Sequence, residues 1–593
     1  MSKKIIAACD CETDPFGFDI DGKPILDIQP FIWGYYNGKK YKKFDSTEEF
    51  IKDVRNRPWN FYAHNGGKFD YMFLLPFLDE AQDIKIINGR ISRFTIGRAT
   101  FFDSYNILPV ALKELEKDDF DYSKLKKDVR EQHREEIETY LENDCRYLHK
   151  YILELFSKRK SKLTLASSAM AEFEAVVEKM PTSDSVYQDK FKQFYYGGRV
   201  SHFELGVIKA EKNQKIEIFD INSAYPTAMR YQHPYGTKMG TEIVELSKLP
   251  VNREEIENCF IELECFSNGC LPHRASKNSG IEFPVEKRVW KITGWEYLAG
   301  IDTNSISDIK ILRVYHFLEC RDFSPYVDKF YAEKLQAEKE KDKSGRLIAK
   351  LYLNSCYGKF AQDERKYKNY KFCTAEKAFD FILCGSIDGA VLNDEYIADH
   401  VIDPNMIERW DLTREFSNGM TLIESPVNKS YWEETEDGTE KGDTHECYNI
   451  ATAASITGWV RAFMWRSLCQ VERPLYCDTD SIACFNGDKL PLGDDLGQWD
   501  CEMTNISEMA IAGKKLYAAF SPTGTKVACK GVQLSAEEIK EVALGNEVEY
   551  KKMSPIFSIR KEPSALNRFV NRQDRKEINT AKRKLKLARE SKN

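Results

Sequence analysis

Two apolar, β-prone runs, Leu475-Tyr476-Cys477 and Ser481-Ile482-Ala483-Cys484-Phe485, are separated only by Asp478-Thr479-Asp480. A connection that short predicts a hairpin, which places two carboxylates at its tip. The device recurs. Ile5-Ile6-Ala7-Ala8-Cys9 reads as a buried strand delivering Asp10 and Glu12 at its end, and period-two geometry turns both carboxylates to one face. Lys215-Ile216-Glu217-Ile218-Phe219 alternates as a strand ending in Asp220; Asn222 to Pro226 then break it before a helical Thr227 to Arg230.

Helices carry the other candidate groups. From Arg130 to Lys158, Ile137, Leu141, Leu148, Ile152 and Leu155 form an apolar stripe, and Tyr140 and Asp144 lie one turn apart. From Ser344 to Tyr357, intervals of four, four and three place Arg346, Lys350, Asn354 and Tyr357 on one face, with Gly358 as the expected stop. The charged stretch Glu424 to Asp443 is expected as an exposed excursion.

A chain of 593 residues exceeds what one core can organise, so three or more domains are expected. The 16 cysteines contain no C-x-x-C pair, which removes zinc clusters and disulfide scaffolds and favours reduced thiols in a cytosol. The apolar run before Asp10 is too short for a signal-peptide core and no other run reaches membrane-spanning length, so no membrane partner is expected. A net charge of −7 does not advertise nucleic acid, yet Asn571 to Asn593 holds nine Lys or Arg against three acids. Such a tail either grips phosphate or is a solvated helix.

Acids at strand ends suit phosphoryl transfer by two divalent ions about 3.5–4 Å apart, which requires hard oxygen ligands. Asp220, Asp478 and Asp480 would form one such set if they converge. A lone Asp-x-Glu among 94 acidic residues is ordinarily a surface pair, so Asp10 and Glu12 gain meaning only in company.

That company is a resemblance to family B DNA polymerases. Asp220-Ile221-Asn222-Ser223-Ala224-Tyr225-Pro226 resembles motif A, Lys350 to Gly358 (KLYLNSCYG) motif B, and Tyr476-Cys477-Asp478-Thr479-Asp480-Ser481 motif C, with Lys515-Leu516-Tyr517 matching the later K-x-Y element, all in the family's order. The resemblance implies that Asp220, Asp480 and the Ile221 carbonyl bind metal, with Asp478 completing the cluster. It also implies that Lys350, Arg346, Asn354, Tyr357 and Ser223 serve the nucleotide, and that Tyr225 packs under the sugar and excludes a 2′-hydroxyl. Ala224 departs from the family's usual Leu.

Asp10-Cys11-Glu12, Asn65-Gly66-Gly67-Lys68-Phe69-Asp70 and Tyr140-Leu141-Glu142-Asn143-Asp144 resemble the family's three exonuclease motifs. By resemblance Asp10, Glu12, Asp70 and Asp144 hold metal and Tyr140 orients the attacking water. Asn65 and Phe69 contact the primer end, helped by Tyr62, His64, Thr13 and Ser104, while Lys117 neutralises the cleaved phosphate. Tyr195-Tyr196-Gly197-Gly198 resembles the Y-x-G-G linker that holds template, and Lys515, Tyr517 and Lys530 are expected to contact DNA.

The resemblance is to the protein-primed branch, whose members serve phages and linear replicons. It implies an α/β and α+β multidomain chain: an RNase H-like 3′→5′ exonuclease domain (1–160), linker and palm (161–230), a first insertion contacting terminal protein (231–325), fingers (326–360), a second insertion encircling DNA (361–445), palm (446–520) and thumb (521–593). Implied cofactors and partners are Mg²⁺, with Mn²⁺ as substitute, primer–template DNA, deoxynucleoside triphosphates and a terminal protein. The enzyme is expected to be a monomer in the host cytoplasm that displaces the downstream strand. A nucleic-acid-primed repair polymerase, a nuclease with an inactive polymerase half and a catalytically silent derivative are the alternatives.

Overall fold

The computed structural model describes residues 4–14, 28–78, 82–110, 118–159, 162–181, 183–211, 214–276, 279–362, 367–387, 389–393, 397, 407–415, 419–426, 433–434, 440–441, 449–530, 534–552 and 581–585. They divide into two compact units, one drawn from Met1–Ser168 and Asp363–Trp432, the other from Ala169–Gln362 and Glu433–Lys551. Most of the basic tail, and Lys117, lie outside the described residues.

The first unit is organised on a ten-stranded mixed sheet. Strand Ile6–Thr13 pairs in parallel with Asn60–Ala63, which pairs in parallel with Ala99–Asp103; the remaining neighbours are antiparallel. Trp33, Phe50, Phe61, Phe94 and Phe101 form a ladder of rings beneath it, Trp33 stacking on Phe50 at 4.7 Å and Phe94 on Phe101 at 5.0 Å. Helix Arg134–Lys158 packs on strands Ile6–Thr13 and Pro30–Tyr36 through the stripe read from the sequence. Tyr140 and Asp144 are buried on that face.

Strands Lys368–Thr374, Met420–Pro426 and Asp411–Glu415 extend this sheet beyond Gln82–Ile87. Glu424 to Pro426 therefore do not belong to the excursion expected from Glu424 onward. They complete a strand paired with Lys368 to Tyr370, Lys368 forms an ion pair with Glu424, and Ser425 is buried.

The second unit has at its centre an antiparallel sheet in the order Trp499–Ile506, Ile216–Ile221, Ser481–Phe485, Arg473–Asp478, Val200–His202. A second sheet runs Ile243–Leu246, Ile306–Phe317, Cys259–Asn268, Val285–Thr293, and a third runs Gly524–Cys529, Leu516–Ser521, Glu508–Gly513, Gly206–Lys209 under helix Ala536–Ala543. Helices Ser324–Lys339 and Lys343–Ser355 pack as a hairpin. Helix Ile450–Leu468 is buried nearly all round, as its composition requires.

Two local expectations need correction. Pro226 does not break the chain ahead of a helix at Thr227; it sits inside helix Ala224–Ala228, whose first turn needs no donor from it. Gly358 does not stop the motif B helix: the helix ends at Ser355, and Gly358 lies within the next one, Tyr357–Phe360. Among the described residues no helix is long and apolar enough to cross a membrane.

One buried ion pair ties the second unit together. Arg461 Nε donates to Glu296 Oε1 at 2.7 Å with both side chains 2% exposed, and Glu296 also caps helix Gly294–Asp302 through Thr293. Glu296→Ala leaves a buried, uncompensated guanidinium and is expected to cost about 3–5 kcal/mol. Chemical denaturation of the full chain measures this; a loss under about 1 kcal/mol would show that Arg461 finds another anion.

Candidate active sites

Adjacent strands bring the three acids of the second unit together. Asp220 lies opposite Ser481, Ser481 lies opposite Asp478, and the amide of Ile221 donates to the carbonyl of Asp480 at 2.8 Å. Thr479 turns the hairpin in the left-handed region, φ +60°. Asp220, Asp478 and Asp480 are all half-buried.

Their electrostatics divide them. Both Asp478 oxygens accept from Lys515 Nζ, at 2.7 and 2.6 Å. Lys515, expected to contact DNA, is delivered to Asp478 by the turn between strands Glu508–Gly513 and Leu516–Ser521 and serves there as an internal counter-ion. Burial first, and then the charge of Asp480, push the Asp220 carboxyl up to about 7. Asp480 is raised too, by burial against a backbone hydrogen bond and then by Asp478. Glu502 and Asp500, which the sequence reading did not single out, add to the negative field at Asp220, with Asp500 its cross-strand neighbour.

A cavity of about 510 Å³ opens beside these acids, lined by Tyr225, Asn354, Tyr357, Asp478, Thr479, Asp480, Ser481, Lys515 and Tyr517. Tyr225 and Tyr357 stack face to face, centroids 4.0 Å apart and planes 4° from parallel, so motifs A and B share one aromatic wall. Ser223 precedes this wall in a left-handed conformation, φ +55°, its carbonyl capping Thr227. Asn354 donates to the Lys350 carbonyl at 2.9 Å. On the same helix Lys350 is exposed, with no ion-pair partner among the described residues, whereas Arg346 is held by Glu338 at 2.6 Å. Lys530 is exposed, and its amide donates to the Lys515 carbonyl.

The Tyr195 to Gly198 segment is half-buried. Arg461 donates to the carbonyls of Tyr196 and, at 2.9 Å, Gly197. A Cβ at Gly198 would stand 2.6 Å from Thr479 Cγ2, so only glycine lets this strand pass the hairpin tip.

The first unit assembles the second acidic set. Asp10 and Glu12 lie on strand Ile6–Thr13, Asp70 follows the 66–68 turn, and Asp144 comes from helix Arg134–Lys158. Glu12, Asp70 and Asp144 are buried. Burial raises Asp70 against hydrogen bonds from Cys11, whose thiol donates at 3.1 Å, and Asp10. Tyr140 is raised by burial and then by the charge of Asp144, with Glu12 contributing, so these groups share one pocket. The Tyr140 hydroxyl lies 3.0 Å from that of Tyr122, and its ring stacks on Phe120.

Asn65 is exposed at φ +65° and its carboxamide oxygen accepts from Arg90. Arg90 is paired in turn with buried Asp103, which also accepts from the Gly67 amide. Phe69 is half-buried against Phe73. His64 and Ser104 bond to one another at 3.1 Å, Tyr62 stacks on Phe102, and Thr13 caps the end of its strand. Arg90, Asp103, Arg461 and Lys515 as a counter-ion were not legible in the sequence, since no motif spacing marks a partner many residues away.

Among the described residues no three carboxylate, imidazole or thiol groups stand close enough to form a closed metal shell. A hard divalent ion takes oxygen ligands and completes its shell with water and substrate phosphate. The donor set around Asp220 and Asp480, and that of Asp10, Glu12, Asp70 and Asp144, is of this open, all-oxygen kind.

Paired acids at a sheet's end, beside an aromatic wall and a helix that brings Asn354 to the same cavity, are the arrangement of a nucleotide-polymerising enzyme. The family model for DNA polymerase type B, organellar and viral, matches residues 112–399. The DNA-directed DNA polymerase of Enterobacteria phage PRD1 is 36% identical over 545 residues, 90% of this chain and 86% of its own length. The DNA polymerase of Bacillus phage phi29 is 24% identical over 427 residues, 61% of this chain and 68% of its own. The phi29 DNA polymerase structure with primer-template DNA and incoming nucleotide aligns over 99% of this chain and 100% of that one, TM-score 0.65 at 18% identity. The chain belongs to the type B DNA polymerases of organelles and viruses, and is a DNA-directed DNA polymerase that works with divalent metal ions.

The raised Asp220 carboxyl would make cation binding in this cleft pH-dependent. Below about 7 the group holds its proton and competes with a cation; above it the free carboxylate is available. Mn²⁺ titrations followed by water-proton relaxation, in a variant with Asp10 and Asp70 replaced by Ala, should give tighter binding at pH 8 than at pH 6. Equal affinities would remove the assigned shift.

Proposed function

We propose that this polymerase extends DNA primers on Mg²⁺, with Mn²⁺ as a substitute, and corrects them with its own 3′→5′ exonuclease. The observation that carries the reading is that two separate sets of carboxylates are built, each from distant segments brought to one place. Asp220, Asp480 and the Ile221 carbonyl are the ligands of the synthetic site, and Asp10, Glu12, Asp70 and Asp144 those of the hydrolytic one. The chemistry that divalent ions would supply there is a lowered pKa at the attacking oxygen and neutralisation of the leaving group.

The chain's own groups do the rest. Lys515 holds Asp478 in place through both carboxylate oxygens. Lys350, on the Asn354 face of its helix, meets the triphosphate as a point charge, and Arg346 assists by exchanging Glu338 for phosphate. Tyr225, pinned by Tyr357, presents a ring where a 2′-hydroxyl would sit. Asn65 and Phe69 take the frayed primer end by hydrogen bonding and stacking, and Tyr140 orients the water. Tyr195, Gly197 and Gly198 line the template path, and Tyr517 and Lys530 serve the duplex.

The motif resemblance to the protein-primed branch supports priming from a protein hydroxyl, with a terminal protein docking on the first insertion. It also supports strand displacement through the second insertion and action as a monomer in a host's cytoplasm.

Asp478→Ala is expected to abolish nucleotide addition, by at least about 1,000-fold, and to leave degradation of single-stranded primer intact; Asp10→Ala with Asp70→Ala is expected to do the reverse. Gel assays of extension and trimming decide it, and parallel loss of both activities in either variant would break the two-site reading. Tyr225→Val is expected to admit ribonucleotides in single-nucleotide incorporation; unchanged sugar discrimination would remove the role given to the ring.

A further inference from the structure

Beneath the Asp478–Asp480 turn lies an arginine that the polymerase motifs do not include. Arg199 is 4% exposed, and no carboxylate pairs with it among the described residues. Its guanidinium lies over Phe283 at 4.1 Å and Trp465 at 4.7 Å, Nη1 donates to the Gly269 carbonyl at 2.7 Å, and the Cys477 thiol is within hydrogen-bonding reach. Burying an arginine without an anion is costly, so its surroundings must hold it by donor geometry and ring faces.

The same residue grips the catalytic turn from the other side. Its carbonyl accepts the Thr479 amide at 2.6 Å, and this bond holds the one left-handed residue between the two aspartates. Gly269 follows strand Cys259–Asn268 and Phe283 precedes Val285–Thr293, so both anchors belong to the second sheet rather than to the catalytic one. Trp465 is itself tied to that sheet's edge, donating to Thr303 at 3.1 Å and Ser305 at 3.0 Å.

We propose that Arg199 is a positioning residue for nucleotide addition, which hangs the Asp478–Asp480 turn from the Cys259–Asn268 sheet through Gly269 and the Phe283 and Trp465 rings. On this view that sheet supports the chemistry as well as any partner it meets. A displacement of about 1 Å at reacting groups costs on the order of 100-fold in rate, so loss of this anchor falls on kcat rather than on nucleotide affinity. The inference rests on the assignment of Asp478 and Asp480 to nucleotide addition.

The test uses the full chain, a primer–template and one nucleotide, with kcat, KM and the Mg²⁺ concentration for half-maximal rate measured for Arg199→Met, Arg199→Lys and Asp478→Asn. Arg199→Met is expected to lower kcat about 10- to 100-fold, raise the Mg²⁺ requirement, leave KM within about twofold and leave single-strand exonuclease unchanged. Arg199→Lys, which keeps a donor for Gly269, should recover part of kcat. Parental kcat and Mg²⁺ dependence in Arg199→Met, or a change in KM alone, overturns the proposal. If Arg199→Met loses both activities together, Phe283→Leu decides: a lowered kcat with intact exonuclease supports the anchor, and an unchanged kcat overturns it. Nucleotide addition by Asp478→Asn at the parental rate would instead overturn the assignment on which the inference rests.

Discussion

Like charges held close together, in partly dry surroundings, are what the rest of this molecule must accommodate. Carboxylates at such spacing resist ionising together, and the protein answers differently at each one. Asp478 receives a counter-ion from within the chain, both of its oxygens accepting from Lys515 Nζ. Asp220 and Asp480 receive none of comparable strength, and their carboxyls rise. In the proposed reading, a divalent cation bound there would supply the missing positive charge. The sheet beneath supplies the stiffness: three neighbouring strands fix the backbone of all three acids.

The first unit reaches the same end by other means. There the carboxylates come from a strand, a turn and a helix, and Asp70 is held by hydrogen bonds from Cys11 and Asp10 rather than by a cation. The turn carrying Asn65, Phe69 and Asp70 is fixed by the Arg90–Asp103 pair and by the Gly67 amide. Gly67 has no room for a side chain, since a Cβ would meet the Ile91 carbonyl at 1.9 Å. Both sites thus rest on polar contacts made directly to the acids, Lys515 on Asp478 in one and Cys11 on Asp70 in the other.

Much of this was legible in the sequence because strand ends and helix faces are local. The Asp478-Thr479-Asp480 connection permits one hairpin, Asp10 and Glu12 alternate to one side, and Tyr140 and Asp144 fall a turn apart; each follows from a period of two or 3.6. Convergence across distance was legible only through the ordered motifs. Arg461 finds Glu296 165 residues away, and Lys515 finds Asp478 37 residues away; no spacing rule predicts either. Glu338 pairs with Arg346 across the connection between helices Ser324–Lys339 and Lys343–Ser355, a partner that periodicity within one helix does not reveal. Gly358 misled because the chain restarts a helix at Tyr357, burying Phe360 and overriding the glycine's preference.

The ten-stranded sheet has a consequence for how the chain is made. Its first seven strands are complete by Asp103, yet Gln82–Ile87 gains its outer neighbour only when Lys368–Thr374 arrives. During synthesis that strand is an unpaired edge for the time needed to make more than half of the remaining polypeptide. Its sequence suits the wait: Asp83 and Lys85 alternate with Ile84 and Ile86, and charges along an exposed edge discourage a second nascent chain from adding to it. When residue 371 docks, Lys371 Nζ takes Asp83 at 3.0 Å, so a charge that protected the edge becomes part of the seam that closes it.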